Sequence, residues 1–409
     1  MSNLPATAAC VLAAALVWPC ASTALPSELS FQEALALART RAPALLEAEG
    51  LVAEAQGPVA GTNPLLRENP TLSAEAGSRK LDTGKRGTQF SVGLSQPFEL
   101  GGKQGARRES AHAGLARQGA EKRDTERRVL GEVGAAFLRA LHARELSRLL
   151  HETEEAAKHL ADATKKRFDA GDVPIVDAHV TRVALARTHA AVAVAEGEES
   201  ISLSELRALL GLPLEAPLTV RGDLRELASL PVPAPPSAQE RPDIVALEAG
   251  LAQAEAELRL GRSQRWPDVS VGVRYENEVD ETAVLGTLSV PLPVFSRGQE
   301  ETVTQDARVR RLRTALEMAR RAREVQVEAA RIRDAKRQQA LEVLVKDALP
   351  LLDENEALAR KSYEAGEMDL AELLLVRRET LETRVALLDS HLQAALARVQ
   401  LAVETGVLP

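Results

Sequence analysis

Two kinds of hydrophobic pattern alternate along this chain, and each occurs in both halves. In the longer stretches apolar residues recur every three or four positions, as at Val133 and Phe137, which predicts amphipathic helices. Shorter stretches alternate apolar and polar residues, which predicts strands. One pair of strands is predicted at 71–77 and 89–96, and a second pair lies within 269–290.

The helices between these strands are predicted to be very long. The first runs from Gly102 to about Arg167, and at 1.5 Å per residue it would extend roughly 100 Å. A return helix follows as far as Leu210. An earlier helix, restarted at Pro43, is predicted to be broken at Gly57-Pro58 and at Gly61-Thr62-Asn63-Pro64. A helix of about 100 Å does not fit a compact globular domain, but it suits a coiled coil or a helical tube.

These patterns divide the chain into four parts. Residues 1–24 are predicted to be a signal peptide, 25–210 a first structural repeat, 211–240 a Pro-rich linker and 241–409 a second structural repeat. Each repeat is expected to contain a helix, two strands, a long helix and a return helix. Acylation of Cys20 is the alternative to simple cleavage of the signal peptide.

Composition narrows the function. The chain has 409 residues, a net charge of −8 and only 2% aromatic residues, which argues against nucleic-acid binding. After the signal segment no apolar run reaches the roughly 18 residues of a membrane helix, so the chain is either soluble in the periplasm or crosses a membrane as a β-barrel.

Four strands cannot close a barrel, but three chains would supply about twelve. The expected fold class is therefore mainly α with a small β part. It combines a long α-helical coiled-coil barrel with a transmembrane β-barrel formed by a trimer, four strands per chain. The strand residues predicted to face lipid are Phe90, Val92, Leu94, Val269, Val271, Val273, Leu288 and Val290.

A short motif occurs at the turn of both long hairpins. An aromatic residue precedes a glycine by three positions, one acidic residue follows that glycine directly, and another follows six positions after it. A glycine that ends one helix just before the next begins is typical of a tight helix–helix turn. The residues of this tip motif are Phe168, Gly171, Asp172, Asp177, Tyr363, Gly366, Glu367 and Glu372.

Because these features occur twice and in the same order, the chain resembles the TolC family of outer-membrane efflux ducts. The resemblance rests on the two halves, the Arg241-Pro242-Asp243 opening, the prolines at the strand ends and the paired tips, and it covers nearly the whole mature sequence. The Glu99-Leu100-Gly101-Gly102-Lys103 segment resembles the heavy-metal branch of that family, the ducts of cation-exporting pumps.

The resemblance implies a homotrimer that crosses the outer membrane and extends into the periplasm. Its partners would be outer-membrane lipid, a periplasmic adaptor protein and an inner-membrane efflux pump, often of the resistance-nodulation-division type. The tips would contact the adaptor and close the duct, with Asp177 and Glu372 at the family's tip positions and Tyr363 tied to Asp177. Met368 and Leu375 depart from the family's pattern of charged residues, which puts closure by salt links in question.

No catalytic motif, cofactor site or metal site is expected. His142, His151 and His159 share one helix but lack the i, i+4 spacing of a zinc site. The acidic tip residues could also be ordinary solvated helix caps. The alternative function is a periplasmic helical scaffold that never enters a membrane, and the exported substrate, a metal cation or another small molecule, stays open.

Overall fold

The protein is described by a computed structural model, which covers these residues: 28–80, 84, 86–229, 231, 241–278 and 281–406. The predicted signal peptide therefore lies outside the described residues, as does most of 230–240.

Helices form most of this part of the chain. They are α1 (Phe31–Arg41), α2 (Pro43–Thr62), α3 (Lys103–Asp169), α4 (Ile175–Leu209), α5 (Leu224–Ser229), α6 (Pro242–Ser263), α7 (Gln299–Val343), α8 (Leu349–Glu364) and α9 (Leu370–Thr405). A π-helical turn, Leu344–Ala348, separates α7 from α8. The strands are β1 (Glu28–Leu29), β2 (Thr71–Lys80), β3 (Arg86–Phe98), β4 (Thr219–Val220), β5 (Val269–Asn277) and β6 (Thr282–Ser289).

The long helices lie side by side in one layer of four columns. The order is α2 and α4, then α3, then α6 and α9, then α7 and α8. Hydrogen bonds and ion pairs between neighbouring columns fix this order. Examples are His189 Nδ1 to Glu154 Oε1 (2.6 Å, α4 to α3), His142 Nε2 to Asp389 Oδ1 (2.8 Å, α3 to α9) and Arg398 Nε to Asp334 Oδ1 (2.9 Å, α9 to α7).

Two of the columns consist of two helices that meet end to end. At the end of α4, Gly211 has a φ of 64°, and a Cβ there would lie 2.8 Å from the carbonyl oxygen of Arg41, next to the start of α2. At the start of α6, the Arg241 guanidinium donates to Glu404 in the last turn of α9 (2.7 Å). Arg241 is only 6% exposed, and its ion pair with Asp243 completes a buried network.

A belt of short elements covers one face of the layer at the level of these junctions. It consists of α1, α5 and the parallel pair of β1 with β4. Phe31 of α1 packs edge-on against Phe137 of α3, with 5.6 Å between the ring centroids, inside the largest hydrophobic core. Ser30 caps α1, and its backbone N–H and hydroxyl donate to the Glu33 carboxylate. These two bonds, together with Arg221, lower the pKa of Glu33 to about 2.

The belt changes the interpretation of the predicted linker 211–240. Its first part contains β4 and α5, and Leu218, Val220 and Leu224 are buried in the core. The many prolines of this segment indicated a linker. β4 and α5 were not predicted because each is too short to show a hydrophobic period. The 211–240 boundary itself remains a prediction, since residues 232–240 lie outside the described part of the chain.

The four longer strands form one antiparallel sheet of order β2-β3-β5-β6. The central β3–β5 pair joins the two halves of the chain, with Leu94 opposite Val273. The sheet lies at the end of the helical layer away from the hairpin turns, because both of its hairpins connect helices at that end. Val290, predicted in the fourth strand, lies just beyond β6, which ends at Ser289.

His391 of α9 gives the belt a pH dependence. Burial against α5 lowers the pKa of His391, and the nearby Arg225 lowers it further although Asp223 opposes this. The unfolded chain therefore takes up a proton below about pH 6.5 before the folded chain does, so stability decreases as pH falls through that value. Burial also raises the pKa of Glu145, which faces α5 from α3.

We expect His391→Leu to reduce this loss of stability. The thermal midpoint of the wild-type protein should fall between pH 7.5 and pH 5.5, and that of the variant should fall less. The exposed His112 offers a matched control, because His112→Leu should keep the wild-type pH slope. Equal slopes for all three proteins would contradict the role of His391.

Candidate functional site

The first hairpin tip is a glycine-closed turn between α3 and α4. Gly171 has a φ of 84°, and the backbone N–H of Asp172 donates to the carbonyl oxygen of Arg167 (2.8 Å). This αL closure satisfies carbonyls at the end of α3 and makes the turn compact. Asp177 lies in the first turn of α4, where an acidic side chain is favoured by the helix dipole.

The second tip, between α8 and α9, has the same closure. Gly366 has a φ of 76°, and the N–H of Glu367 donates to the carbonyl oxygen of Ser362 (2.8 Å). Asp369 then caps α9, since the N–H of Glu372 donates to Asp369 Oδ1 (2.7 Å) and Glu372 Oε2 accepts from the N–H of Asp369 (3.3 Å). Within one chain Glu372 is thus a helix-capping residue, so a role in a charged ring stays a prediction.

An arginine joins the two tips. Arg167 of α3 lies over the Tyr363 ring, with its Cζ 6.0 Å from the ring centroid, and its Nη1 lies 3.4 Å from the Tyr363 hydroxyl. The resemblance had suggested Asp177 as the partner of Tyr363, but within the chain the contact is with Arg167. Two apolar side chains near the tips are exposed as well: Phe168, at 36%, directly follows Arg167, and Leu375, at 57%, lies in the second turn of α9.

At the opposite end, the sheet has one apolar and one polar face. In the observed register Val92 stands between Ala74 and Tyr275, and Val271 is paired with Leu288, so the alternating apolar residues share one face. Except for the partly buried Val269, the predicted lipid-facing residues are exposed. The other face carries polar side chains such as Arg274, which lies 3.8 Å from Glu75. A contiguous exposed apolar face of this kind usually marks a surface that contacts a membrane or another protein.

Sequence reasoning did not identify the two open edges of the helical layer. Helix α4 presents exposed Val176, Val183, Val194 and Ile201, and α7 presents exposed Met318, Val325, Ile332 and Val343. On both helices the residues are separated by seven or eleven positions, the spacing of a coiled-coil seam. Each stripe lies opposite the buried face of its own helix, so it points away from the rest of the chain. The spacing was visible in the sequence, but it could not be separated from the core stripes of the same helices.

Within the described part of the chain, no group of three or more His, Cys, Asp or Glu side chains could hold a metal ion. None of the described helices is both long enough and apolar enough to cross a membrane.

Fold and site together define a duct-like protein of long helical hairpins with a small sheet at one end. Comparison with known proteins agrees with this class. Residues 34–212 match the family model "Outer membrane efflux protein". The structure of the Campylobacter jejuni CmeC outer membrane channel covers 92% of this chain and 85% of that one, with a TM-score of 0.78 and 16% identity. CusC gives a TM-score of 0.76 at 18% identity, with 92% of both chains covered.

Two curated relatives are similar at the level of sequence. The cobalt-zinc-cadmium resistance protein CzcC of Cupriavidus metallidurans is 28% identical over 222 residues, which is 53% of each chain. This chain therefore matches about half of that relative's length. The pyoverdine export outer membrane protein OpmQ of Pseudomonas aeruginosa is 26% identical over 392 residues, covering 86% of this chain and 78% of the relative.

The match of residues 34–212 to the outer membrane efflux protein family confirms the resemblance inferred from the sequence. The mainly helical fold with a small β part is confirmed as well. Family and fold are those of efflux channels and not of enzymes, which agrees with the prediction that the chain has no catalytic activity.

Proposed function

We propose that three copies of this chain form the outer-membrane exit duct of a tripartite efflux system. The observation that carries the proposal is the pair of exposed heptad stripes on the two open edges, α4 and α7. Placing the α7 edge of one copy against the α4 edge of the next covers both stripes. After three copies the layer would close into a tube of about twelve columns, as in a cyclic oligomer.

Closure of the trimer would also explain the open edges and the exposed apolar face of the sheet. Three four-stranded sheets joined edge to edge would supply about twelve strands and leave no open edge. The apolar face with Val92 would then meet outer-membrane lipid, and the polar face with Arg274 would line the pore. The tube of helices, about 100 Å long from the 67 residues of α3, would extend into the periplasm.

The tips would meet the partners. Their compact glycine turns and exposed apolar residues suit end-on contact with a periplasmic adaptor, which in turn would join the duct to an inner-membrane pump of the resistance-nodulation-division type. Metal cations are one candidate cargo, because CzcC is named for cobalt, zinc and cadmium resistance; OpmQ is named for pyoverdine export. Energy would come from the pump, since the duct itself is passive.

Engineered cysteines test the closure directly. We expect the double variant Ile201→Cys with Val343→Cys to give a covalent trimer after treatment of membranes with a flexible bismaleimide. These two residues are the members of the stripes nearest the belt. Each single variant should stay monomeric on a denaturing gel, because copies of the same residue are far apart in the ring. A double variant that stays monomeric, or that forms a ladder beyond the trimer, would contradict the proposal.

The tip contact gives a second test. If the Arg167–Tyr363 contact helps to hold the tips closed, Arg167→Gln should raise the mean single-channel conductance in planar bilayers about twofold or more. Arg182→Gln, at an exposed site on α4, should leave the conductance unchanged. If the two variants conduct equally, the tips do not close through this contact.

A further inference from the structure

A groove of about 610 Å³ runs along one face of the helical layer, over α9 and between α3 and α7. Four arginines line it: Arg128 and Arg139 from α3, and Arg333 and Arg337 from α7. Among the described residues of the lining there are two carboxylates, Glu132 and Glu404. The groove is therefore basic, although the chain as a whole carries a net charge of −8.

Most of this positive charge is not compensated within the described part of the chain. Arg128 pairs with Asp124 (3.1 Å), and Glu404 is already bound to Arg241 (2.7 Å). Arg333 donates to the neutral amide oxygen of Gln400 (2.7 Å). Among the described residues no carboxylate lies within ion-pair distance of Arg139 or Arg337. Three arginines of the groove, Arg139, Arg333 and Arg337, therefore have no carboxylate partner among the described residues, and Glu132 is the one lining carboxylate not already bound to an arginine there.

Helix geometry places this groove on the face opposite the belt. On α3, Phe137 packs under the belt and lies nine residues after Arg128, which is two and a half helical turns. On α9, the belt-facing His391 and the groove-lining Gln400 are separated by the same nine residues. Both helices therefore turn one side to the belt and the opposite side to the groove.

In the closed trimer the groove would face the lumen. About twelve columns spaced roughly 10 Å apart give a tube whose lumen has a radius of only about 14 Å. Belts of helices from three chains would fill that space, so the belt must lie outside and the arginines inside. Arg139 stands on α3, which has columns of its own chain on both sides, so a neighbouring copy would not cover it.

We propose that this groove is an anion-binding band in the lumen, and that it favours export of multivalent anionic small molecules. The inference rests on the proposed duct and narrows its cargo. Guanidinium groups suit phosphate and carboxylate groups because they donate paired hydrogen bonds. A ring of them on the lumen wall repels free divalent cations that approach it within about a Debye length, roughly 8–10 Å, so a metal that passes close to this band would do so as an anionic complex.

The test is block of the reconstituted channel by inorganic tripolyphosphate in planar bilayers at about 0.1 M KCl. The variant Arg139→Gln with Arg337→Gln removes two unpaired charges, and we expect the half-blocking concentration to rise about tenfold or more. The matched control is Arg123→Gln with Arg321→Gln. Each of these exposed arginines lies sixteen residues earlier on the same helix, nearly half a turn away from the groove. The half-blocking concentration of the control variant should stay within about twofold of the wild-type value.

Two further arms separate charge from packing. Arg139→Lys with Arg337→Lys keeps the charge and should keep the block within about threefold, and raising KCl to about 1 M should abolish the block in every protein. Equal block in the glutamine variant and its control, or loss of the trimer in both the glutamine and the lysine variants, would overturn the inference. A wild-type channel that tripolyphosphate does not block would overturn the anion band alone, whereas a wild-type protein that forms no channel would overturn the duct itself.

Discussion

Replacing Val92 by arginine is expected to abolish assembly in the outer membrane. Val92 lies on β3 in the middle of the apolar face, between Ala74 and Tyr275, and is 42% exposed. An arginine facing lipid near the bilayer midplane costs about 2–4 kcal/mol per chain, and a trimer would incur that cost three times. The amount of trimer extracted from the outer-membrane fraction should therefore fall at least about tenfold.

The neighbouring residue supplies the control. Ser91 points to the polar face and is paired with Glu75 on one side and Glu276 on the other. An arginine at position 91 would meet two carboxylates, so Ser91→Arg should assemble at close to the wild-type level. Equal yields of the two variants would mean that the apolar face of the sheet does not contact lipid.

Replacing Arg241 by alanine is expected to cause the largest loss of stability in the helical layer. The Arg241 side chain is 6% exposed and donates to Asp243 (2.8 Å from Nε), Glu404 (2.7 Å) and Gln326 (3.0 Å). Burial alone would raise the pKa of Asp243, but the hydrogen bonds and charge of Arg241 outweigh burial and hold that pKa below its ordinary value. Without Arg241 two partly buried carboxylates would face each other where α6 meets α9.

Breaking a buried ion network of this kind costs about 3–5 kcal/mol, so the free energy of unfolding in detergent should fall by that amount. Arg310→Ala is the control, because Arg310 is 72% exposed and its ion-pair partner among the described residues is Asp306, one turn away on α7. Its removal should change the free energy by less than about 0.5 kcal/mol. Similar losses for both variants would show that the junction of α6 and α9 does not depend on Arg241.

The long elements could be predicted from the sequence because nothing interrupts their periods. Helix α3 has no proline over 67 residues, and glycines with positive φ, Gly102 and Gly171, flank it. The two hairpin turns could also be predicted, because a glycine at the end of each of two long helical patterns indicates two similar turns. Alternation identified the strands, although it extended the last of them to Val290, one residue beyond its observed end.

Features that depend on neighbouring columns could not be predicted in the same way. Of the two expected breaks in the second helix, α2 continues through Gly57-Pro58 and ends at Thr62, within Gly61-Thr62-Asn63-Pro64; Arg108 of α3 donates to the carbonyl oxygen of Thr62 (2.8 Å). The π-helical turn at Leu344–Ala348 lies just before Pro350; a proline in a helical pattern indicates a local break or kink but does not specify its π-helical form. The sequence pattern around Glu372 fits a charged ring residue and a helix cap equally well, and only the structure shows the capping hydrogen bonds.

If three chains close into one duct, the detergent-extracted protein has the mass of a trimer. Membranes would be separated into inner and outer fractions, and the extracted protein measured by light scattering coupled to size exclusion. We expect a particle in the outer-membrane fraction with a protein mass close to three times the 43.9 kDa chain, slightly less if the signal peptide is removed. A monomer released without detergent would contradict the duct.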